Sequence, residues 1–167
     1  LIHKNGNSIW TFMNTNPIQD TNGKVNGALA MVTDITERKK AESNLRESED
    51  RYRKIVEGIS YSILVHQSGI IQYANPAAAA IMGFEKAESL IGLNGFSFVH
   101  PDDRAVIIER AQQLVQGKST GPLPPVRQRM VNPDGKIVTI ESTTTNIRFN
   151  GRDAMLVIAH QVEDTGK

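Results

Sequence analysis

Two segments of the sequence share one order of turns and apolar runs, and this internal repeat constrains the fold more than any other feature. The first segment spans residues 4–36 and the second spans residues 132–163. Each contains two Asn-Gly or Asp-Gly turns, which begin at Asn5, Asn22, Asp134 and Asn150. These dipeptides between apolar runs are strong hairpin signals, because both central residues of the turn need positive φ. The repeat predicts the last three strands of one domain and the whole of a second, similar domain, unless two hairpins are alike by chance.

The complete second domain shows an alternation of strand and helix patterns that predicts an α+β fold. Two short strands are predicted at Ser62–Gln67 and Ile70–Ala74, and Asn75-Pro76 then begins a short helix, since Asn is a good N-cap and Pro suits the first helical position. Two further helical segments follow. Three more strands are predicted at about 126–131, 136–147 and 154–162. The order β-β-α-α-α-β-β-β is typical of an antiparallel sheet with helices packed on it.

The longest helix of this domain follows His100 and has an amphipathic pattern. Its predicted buried side consists of Val106, Ile107, Leu114 and Val115, and Gly117 is its predicted end.

Four motifs resemble parts of the PAS (Per-Arnt-Sim) sensor domain. They are "RYRKIVEGISYSILVHQSGIIQYANPAAAAIMGF", "HPDDR" at residues 100–104, "VNPDGKIVTIES", and the exit motif "VTDITERKKAE" of the preceding copy. The resemblance implies a five-stranded antiparallel sheet with helices on one face. It divides the chain into the C-terminal strands of a truncated PAS domain at 1–36, a signalling helix at 37–58 and a complete PAS domain at 59–164.

The segment between the two copies is predicted to be one charged helix. Acidic residues precede basic ones by four positions, the favourable orientation on a helix. A heptad seam runs through it at Ala41, Leu45, Ser48, Tyr52, Ile55 and Ile59. This spacing favours a homodimeric coiled coil, and a single helix lying on its own sheet is the alternative.

Asp34-Ile35-Thr36 marks the change from strand to helix without an intervening Gly or Pro. Thr36 is the predicted N-cap of the helix. The resemblance implies that these three residues relay a signal from the sheet to the helix, and plain capping is the alternative.

The residue types exclude several kinds of chemistry. The chain has no cysteine, which removes disulfides, thiol catalysis and Cys-bound metals, and the net charge of +1 gives no general attraction to nucleic acid. No catalytic set is evident, and His3, His66, His100 and His160 suit structural roles better than ligand roles. We therefore expect no cofactor and no metal. No apolar run approaches the roughly 20 residues that span a bilayer, so we expect no membrane contact and a cytoplasmic location, with any membrane anchor elsewhere in the parent protein.

Five apolar residues are candidates to line a pocket for a small apolar or mixed ligand: Met82, Phe84, Phe98, Met130 and Met155. The favoured interpretation is that these residues simply fill the core.

The resemblance thus implies a non-enzymatic sensory and relay module, cut from a larger signalling protein, which in this family is most often a sensor histidine kinase. The alternatives are a regulatory module of a cyclic-dinucleotide cyclase or phosphodiesterase, and a dimerisation scaffold without a ligand. The orphan strands of 1–36 cannot bury both faces alone. We expect Trp10, Phe12, Leu29 and Met31 to be buried against a second copy of the chain, or else against the complete domain of the same chain.

Overall fold

The computed structural model describes residues 1, 8–116 and 121–163. The chain divides into two compact units, residues 1–53 and 54–167, and the division falls inside one long helix. The predicted Asn5 turn, His3, Gly117 as helix end and the last residue of 59–164 lie outside the described residues.

The first unit contains an antiparallel hairpin and the start of the long helix. Strand β1 spans Thr11–Gln19, strand β2 spans Val25–Asp34, and helix α1 spans Thr36–Gly58. Two strands are described here where three were expected, since the sequence before β1 falls largely on residues 2–7, outside the described part. The carboxylate of Asp20 accepts hydrogen bonds from the backbone of Asn22 (2.9 Å) and Lys24 (3.0 Å) and so shapes the turn.

The second unit is a five-stranded antiparallel sheet with helices packed on it, as the sequence predicted. Its elements are β3 Ser62–Gln67, β4 Ile70–Ala74, α2 Pro76–Met82, the 3₁₀ turns Ala87–Leu90 and Gly95–Phe98, α3 Pro101–Val115, β5 Val126–Val131, β6 Ile137–Phe149 and β7 Arg152–Gln161. The strand order is β4-β3-β7-β6-β5. The bounds of β3, β4 and β5 are those predicted. Strand β6 runs further than expected and β7 begins earlier, because Asn150, at φ 50°, and Gly151, at φ 75°, close a tight turn between them.

The core lies between the sheet and the helices. Its fully buried members include Ile71, Leu90 and Ala78. A smaller cluster joins Leu114 of α3 to Leu123 and Met155.

The predicted buried side of α3 is partly wrong. Leu114 is 1% exposed, but Val106 is 53% and Val115 is 74% exposed. The helix meets the sheet through Ile107, Ala111 and Leu114, which follow the spacing of one helical face, and the two valines fall outside that stripe.

Candidate functional site

A cavity of about 90 Å³ lies in the second unit between the sheet and helices α2 and α3. Apolar side chains form most of its wall, contributed by Leu64, Ile81, Met82, Phe96, Val99, Ile107, Ala111, Val126, Met130, Ile140, Val157 and Ala159. The polar side chains in the wall are those of Ser62, His66, Arg110, Gln128, Ser142 and Thr144. An apolar cavity with a few polar groups is the usual form of a small-molecule site.

Gln128 of β5 and Ser142 of β6 form a buried polar pair in the cavity wall. The two residues are 7% and 3% exposed. Gln128 Nε2 donates to Ser142 Oγ at 3.1 Å. The other amide atom, Gln128 Oε1, is buried and has no hydrogen-bond partner among the described residues. Because a buried polar atom without a partner is costly, a water molecule or a ligand that paired with this oxygen would stabilise the site.

His66 closes one end of the cavity. Its Nδ1 accepts a hydrogen bond from the backbone N–H of Gly69 at 3.2 Å, and its ring meets that of Phe96 edge-on, with centroids 5.5 Å apart. Burial lowers the pKa of His66, so the ring is neutral at pH 7 and carries its proton on Nε2.

Gly69 allows this end of the cavity to close. Its φ is +87°, and a Cβ at this position would lie 2.8 Å from the ring of Phe96. No other residue can therefore occupy the turn without moving the ring of Phe96.

A larger open groove lies on the far side of His66 and Phe96. Its volume is about 740 Å³, and it runs between the C-terminal half of α3 and the β6–β7 turn region. His66, Gly69, Phe96 and Ala111 line both spaces and so form the wall between them.

The pocket residues predicted from sequence are divided between three places. Met82 and Met130 line the cavity, and Met155 lines the groove. Phe84 and Phe98 form an edge-on ring pair, with centroids 5.7 Å apart, and pack against the core cluster.

The motif "HPDDR" fixes the start of α3 to the sheet. Asp103 accepts hydrogen bonds from the backbone N–H of Arg129 (2.8 Å) and from its Nη2 (2.6 Å), and Asp102 lies 3.3 Å from the same guanidinium. The Arg129 hydrogen bond holds the pKa of Asp103 below its usual range. His100 is the N-cap, and its Nδ1 accepts from the backbone of Asp102 at 3.3 Å. These contacts give the motif a structural role.

Asn75 is the most connected buried side chain of the second unit. It is 0% exposed, its Oδ1 accepts from the backbone N–H groups of Ile63 and Ala78 at 2.9 Å, and its Nδ2 donates to the carbonyls of Val56 (3.0 Å) and Tyr61 (2.9 Å). One amide thus caps α2, aligns β3 and holds the last turn of α1.

Comparison with protein families accounts for this architecture. A family model described as "PAS fold" matches residues 71–159, and one described as "PAS domain" matches residues 1–37. The chain belongs to the PAS fold family. The second match covers the β1–β2 hairpin, so the repeat in the sequence reflects two PAS segments.

The chain is similar to one kinase and to PAS domains of known structure. Sporulation kinase A of Bacillus subtilis (strain 168) is 25% identical over 136 residues, which are 81% of this chain and 22% of that protein. The chain therefore spans about a fifth of the length of this relative. The PAS domain of an HTR-like protein from Haloarcula marismortui superposes with a TM-score of 0.62 at 22% identity, covering 74% of this chain and 99% of that one. A PAS domain from a two-component sensor histidine kinase gives a TM-score of 0.55 at 16% identity, covering 70% and 99%.

The joint between the first PAS segment and α1 involves all three predicted relay residues. The Asp34 carboxylate accepts from the backbone N–H of Thr36 at 2.8 Å, and the Ile35 carbonyl accepts from Lys39 at 2.9 Å. The Thr36 hydroxyl oxygen accepts from the backbone N–H of Trp10 at 2.9 Å, and Ile35 N–H donates to the Trp10 carbonyl at 2.9 Å. Asp34 therefore performs the capping expected of Thr36, and the Thr36 side chain ties the helix to the residue before β1.

The predicted seam residues lie along α1 and just past its end. Leu45, Tyr52, Ile55 and Ile59 are between 40% and 66% exposed, Ala41 is also exposed, and Ser48 is half-buried. No residue of α1 is fully buried.

The described residues form neither a membrane-spanning helix nor a metal-binding cluster. None of the described helices is both long and apolar enough to cross a membrane. No group of three or more His, Asp or Glu side chains in the described ranges is arranged to hold a metal ion.

Gln128 and Ser142 were not predicted as site residues, although the strand alternation around Gln128 indicates its burial. In "VRQRMV", alternation places Gln128 on the same strand face as Val126 and Met130. A polar residue on an otherwise apolar strand face is the informative exception in a buried pattern.

Proposed function

We propose that this chain is the sensory and relay part of a signal-transduction protein of the sensor histidine kinase class. In this proposal the PAS domain at 59–164 accepts a small ligand in its cavity, and α1 passes the resulting change along the chain. The observation that carries the proposal is the mainly apolar cavity in whose wall the amide of Gln128 lacks one partner. The chain itself is not assigned an activity, and the kinase reaction would belong to other parts of the parent protein.

The relatives support the kinase class. The curated relative is a kinase, and a structurally similar PAS domain comes from a two-component sensor histidine kinase. A module without cysteine suits the reducing cytoplasm, where we expect it to work.

The contacts of Asn75 support a relay from the cavity to α1. Asn75 bonds to Ile63, which neighbours the cavity residues Ser62 and Leu64 on β3, and to the carbonyl of Val56 in the last turn of α1. A shift of β3 on ligand binding would therefore strain or release the end of the helix. At the other end of α1, the bonds between Thr36 and Trp10 would couple the helix to the hairpin.

Hydrogen–deuterium exchange tests the relay. Phenol and benzene, each about as large as the cavity admits, serve as probes, and amide protection is measured at residues 54–58. Binding of either probe at Met130 and Ile140 should change this protection in the wild type, and Asn75→Ala should abolish the change. The function is contradicted when neither probe binds, or when a bound probe leaves residues 54–58 as they were.

A specific observation also favours self-association. The seam residues of α1 other than half-buried Ser48 are exposed in the chain, and so are Trp10, Phe12, Leu29 and Met31 of the first unit. We propose that a second copy covers both, as a parallel homodimer with Leu45 and Ile55 in its seam.

Substitution in the seam tests the dimer. Leu45→Asp or Ile55→Asp places a charge between the helices and should lower the mass measured by light scattering at micromolar concentration. Asn44→Asp is the matched control outside the seam and should leave the mass unchanged. An equal mass for all three variants and the wild type would favour a single helix.

A further inference from the structure

The amide of Gln128 specifies more about the ligand than the cavity alone does. Gln128 is 7% exposed, its Nε2 is used by Ser142 at 3.1 Å, and its Oε1 has no partner among the described residues. Both residues line the cavity, so a small rotation of the amide would bring the unpaired atom to a bound molecule. A ligand that pairs with this atom would remove the cost of a buried polar group without a partner.

The Gln128–Ser142 pair is compatible with two hydrogen-bond patterns. A hydroxyl such as that of Ser142 can either accept from the amide nitrogen or donate to the amide oxygen. A half-turn of the Gln128 amide therefore keeps the bond to Ser142 and presents a donor to the cavity in place of an acceptor. A ligand hydroxyl can also donate or accept, so it complements either orientation, whereas an ether or a bare hydrocarbon does not.

The size and charge of the cavity limit the rest of the ligand. About 90 Å³ of space holds a body of roughly one aromatic ring or a short aliphatic chain. Among the residues that the structure describes, the wall contains no Asp or Glu and one Arg, Arg110, whose Nη2 donates to the carbonyl of Pro124. A charged ligand would have to give up its hydration for an arginine that already bonds to the backbone, which favours a neutral molecule.

We propose that the cavity binds a small neutral molecule with a hydroxyl group on a compact apolar body, and that the hydroxyl pairs with the amide of Gln128. This inference rests on the proposed sensory function. The apolar body lies against Met82, Met130 and Ile140, and the hydroxyl faces the β5–β6 side of the cavity.

Phenol and benzene form a matched pair of probes, since they differ by one hydroxyl. Both are titrated into the ¹⁵N-labelled chain, and dissociation constants are taken from the amide shifts of Met130 and Ile140. Phenol should bind the wild type about tenfold more tightly than benzene, the effect of one well-placed hydrogen bond. Gln128→Leu should remove this preference by weakening the binding of phenol. Gln161→Leu, the same change at an exposed position of β7, should leave the preference unchanged. If Gln128→Leu does not fold, the phenol preference is measured in Ser142→Ala, which removes the other member of the Gln128–Ser142 pair.

The outcomes separate the inference from the function on which it rests. Equal affinities for phenol and benzene in the wild type, or a phenol preference that survives in both Gln128→Leu and Ser142→Ala, would overturn the hydroxyl inference and leave the cavity a ligand site. Tighter binding of benzoate than of phenol would overturn the neutral class in favour of an anion at Arg110. The absence of binding by all three probes would mean that only water occupies the cavity, and would overturn both proposals.

Discussion

The hairpins β1–β2 and β6–β7 have similar sequences and opposite environments. In the first, Met13 pairs with Val32, and in the second, Ser142 pairs with Ala159. Val32 is 48% exposed and Ala159 is 3% exposed, and every residue of β2 is exposed. The alternating pattern and the turn residues are thus sufficient to pair two strands, but the neighbouring strands and helices determine whether a face becomes a core.

Truncation of one apolar side chain in each hairpin should show the largest difference. Ile140→Ala, in the buried hairpin, should lower the free energy of unfolding by about 2–5 kcal/mol, because it removes packed methyl groups and leaves a cavity. Leu29→Ala, in the exposed hairpin, should change it by less than about 0.5 kcal/mol in dilute solution. Urea unfolding measures both, and the single tryptophan, Trp10, reports on the first unit. A cost for Leu29→Ala that grows with protein concentration would show that a second copy covers the hairpin.

The two ends of α1 provide the next comparison. Asn75→Ala should cost about 2–4 kcal/mol, because it removes a helix cap and leaves buried backbone groups of β3 and α1 without partners. Thr36→Ala at the exposed joint should cost less than about 1.5 kcal/mol. The same urea titrations measure both, and equal costs would mean that the first joint is as well buried in solution as the second.

Low pH should destabilise the second unit because it protonates Asp103. Its pKa is lowered in the folded state from 3.8, first by the hydrogen bond from Arg129, so the carboxylate stabilises the fold above pH 3.8 and this stability is lost as the pH falls through the folded pKa. Asp103→Asn should make the free energy of unfolding less dependent on pH in this acid range. The exposed carboxylates of α1 should contribute little, and an unchanged slope in Asp103→Asn would contradict the assignment.

A smaller pH effect is expected from His66. Burial lowers its folded pKa below 6.5, so the unfolded chain takes up the proton first. Stability from this group is complete above pH 6.5 and declines as the pH falls from there to the folded pKa. In the His66→Gln variant, the urea concentration at the unfolding midpoint should depend less on pH across this window. A decline in the midpoint that persists in the variant would show that another group is responsible.

The sequence predicted elements that depend on neighbours in the chain and missed contacts that depend on distant ones. Strands β3, β4 and β5 follow from short β-rich runs between turn residues, and the start of α2 follows from Asn75-Pro76. The exposed positions of Val106 and Val115 could not be derived, because the α3 pattern is compatible with more than one buried stripe.

The candidate site was less predictable for the same reason. Met82 and Met130 could be nominated by residue type, but their enclosure depends on how α2 and β5 approach each other. The Gln128–Ser142 pair requires the β5–β6 register, which pairs Val126 with Ser142 and Gln128 with Ile140. The bond from Trp10 to Thr36 spans 26 positions, and no local rule predicts it.

The position of Asn75 before Pro76 also has a consequence for the chemical ageing of the protein. Asparagine deamidates when the backbone nitrogen of the following residue attacks its side-chain amide, and proline has no N–H with which to form the cyclic intermediate. The amide that joins α1, β3 and α2 is therefore protected by its own neighbour, while Asn22-Gly23 and Asn150-Gly151 lie in exposed turns. Peptide mass mapping after prolonged incubation at mildly alkaline pH should find added mass at Asn-Gly sites, these two turns among them, and none at Asn75. Damage of this kind would spare the connection between the cavity and the helix.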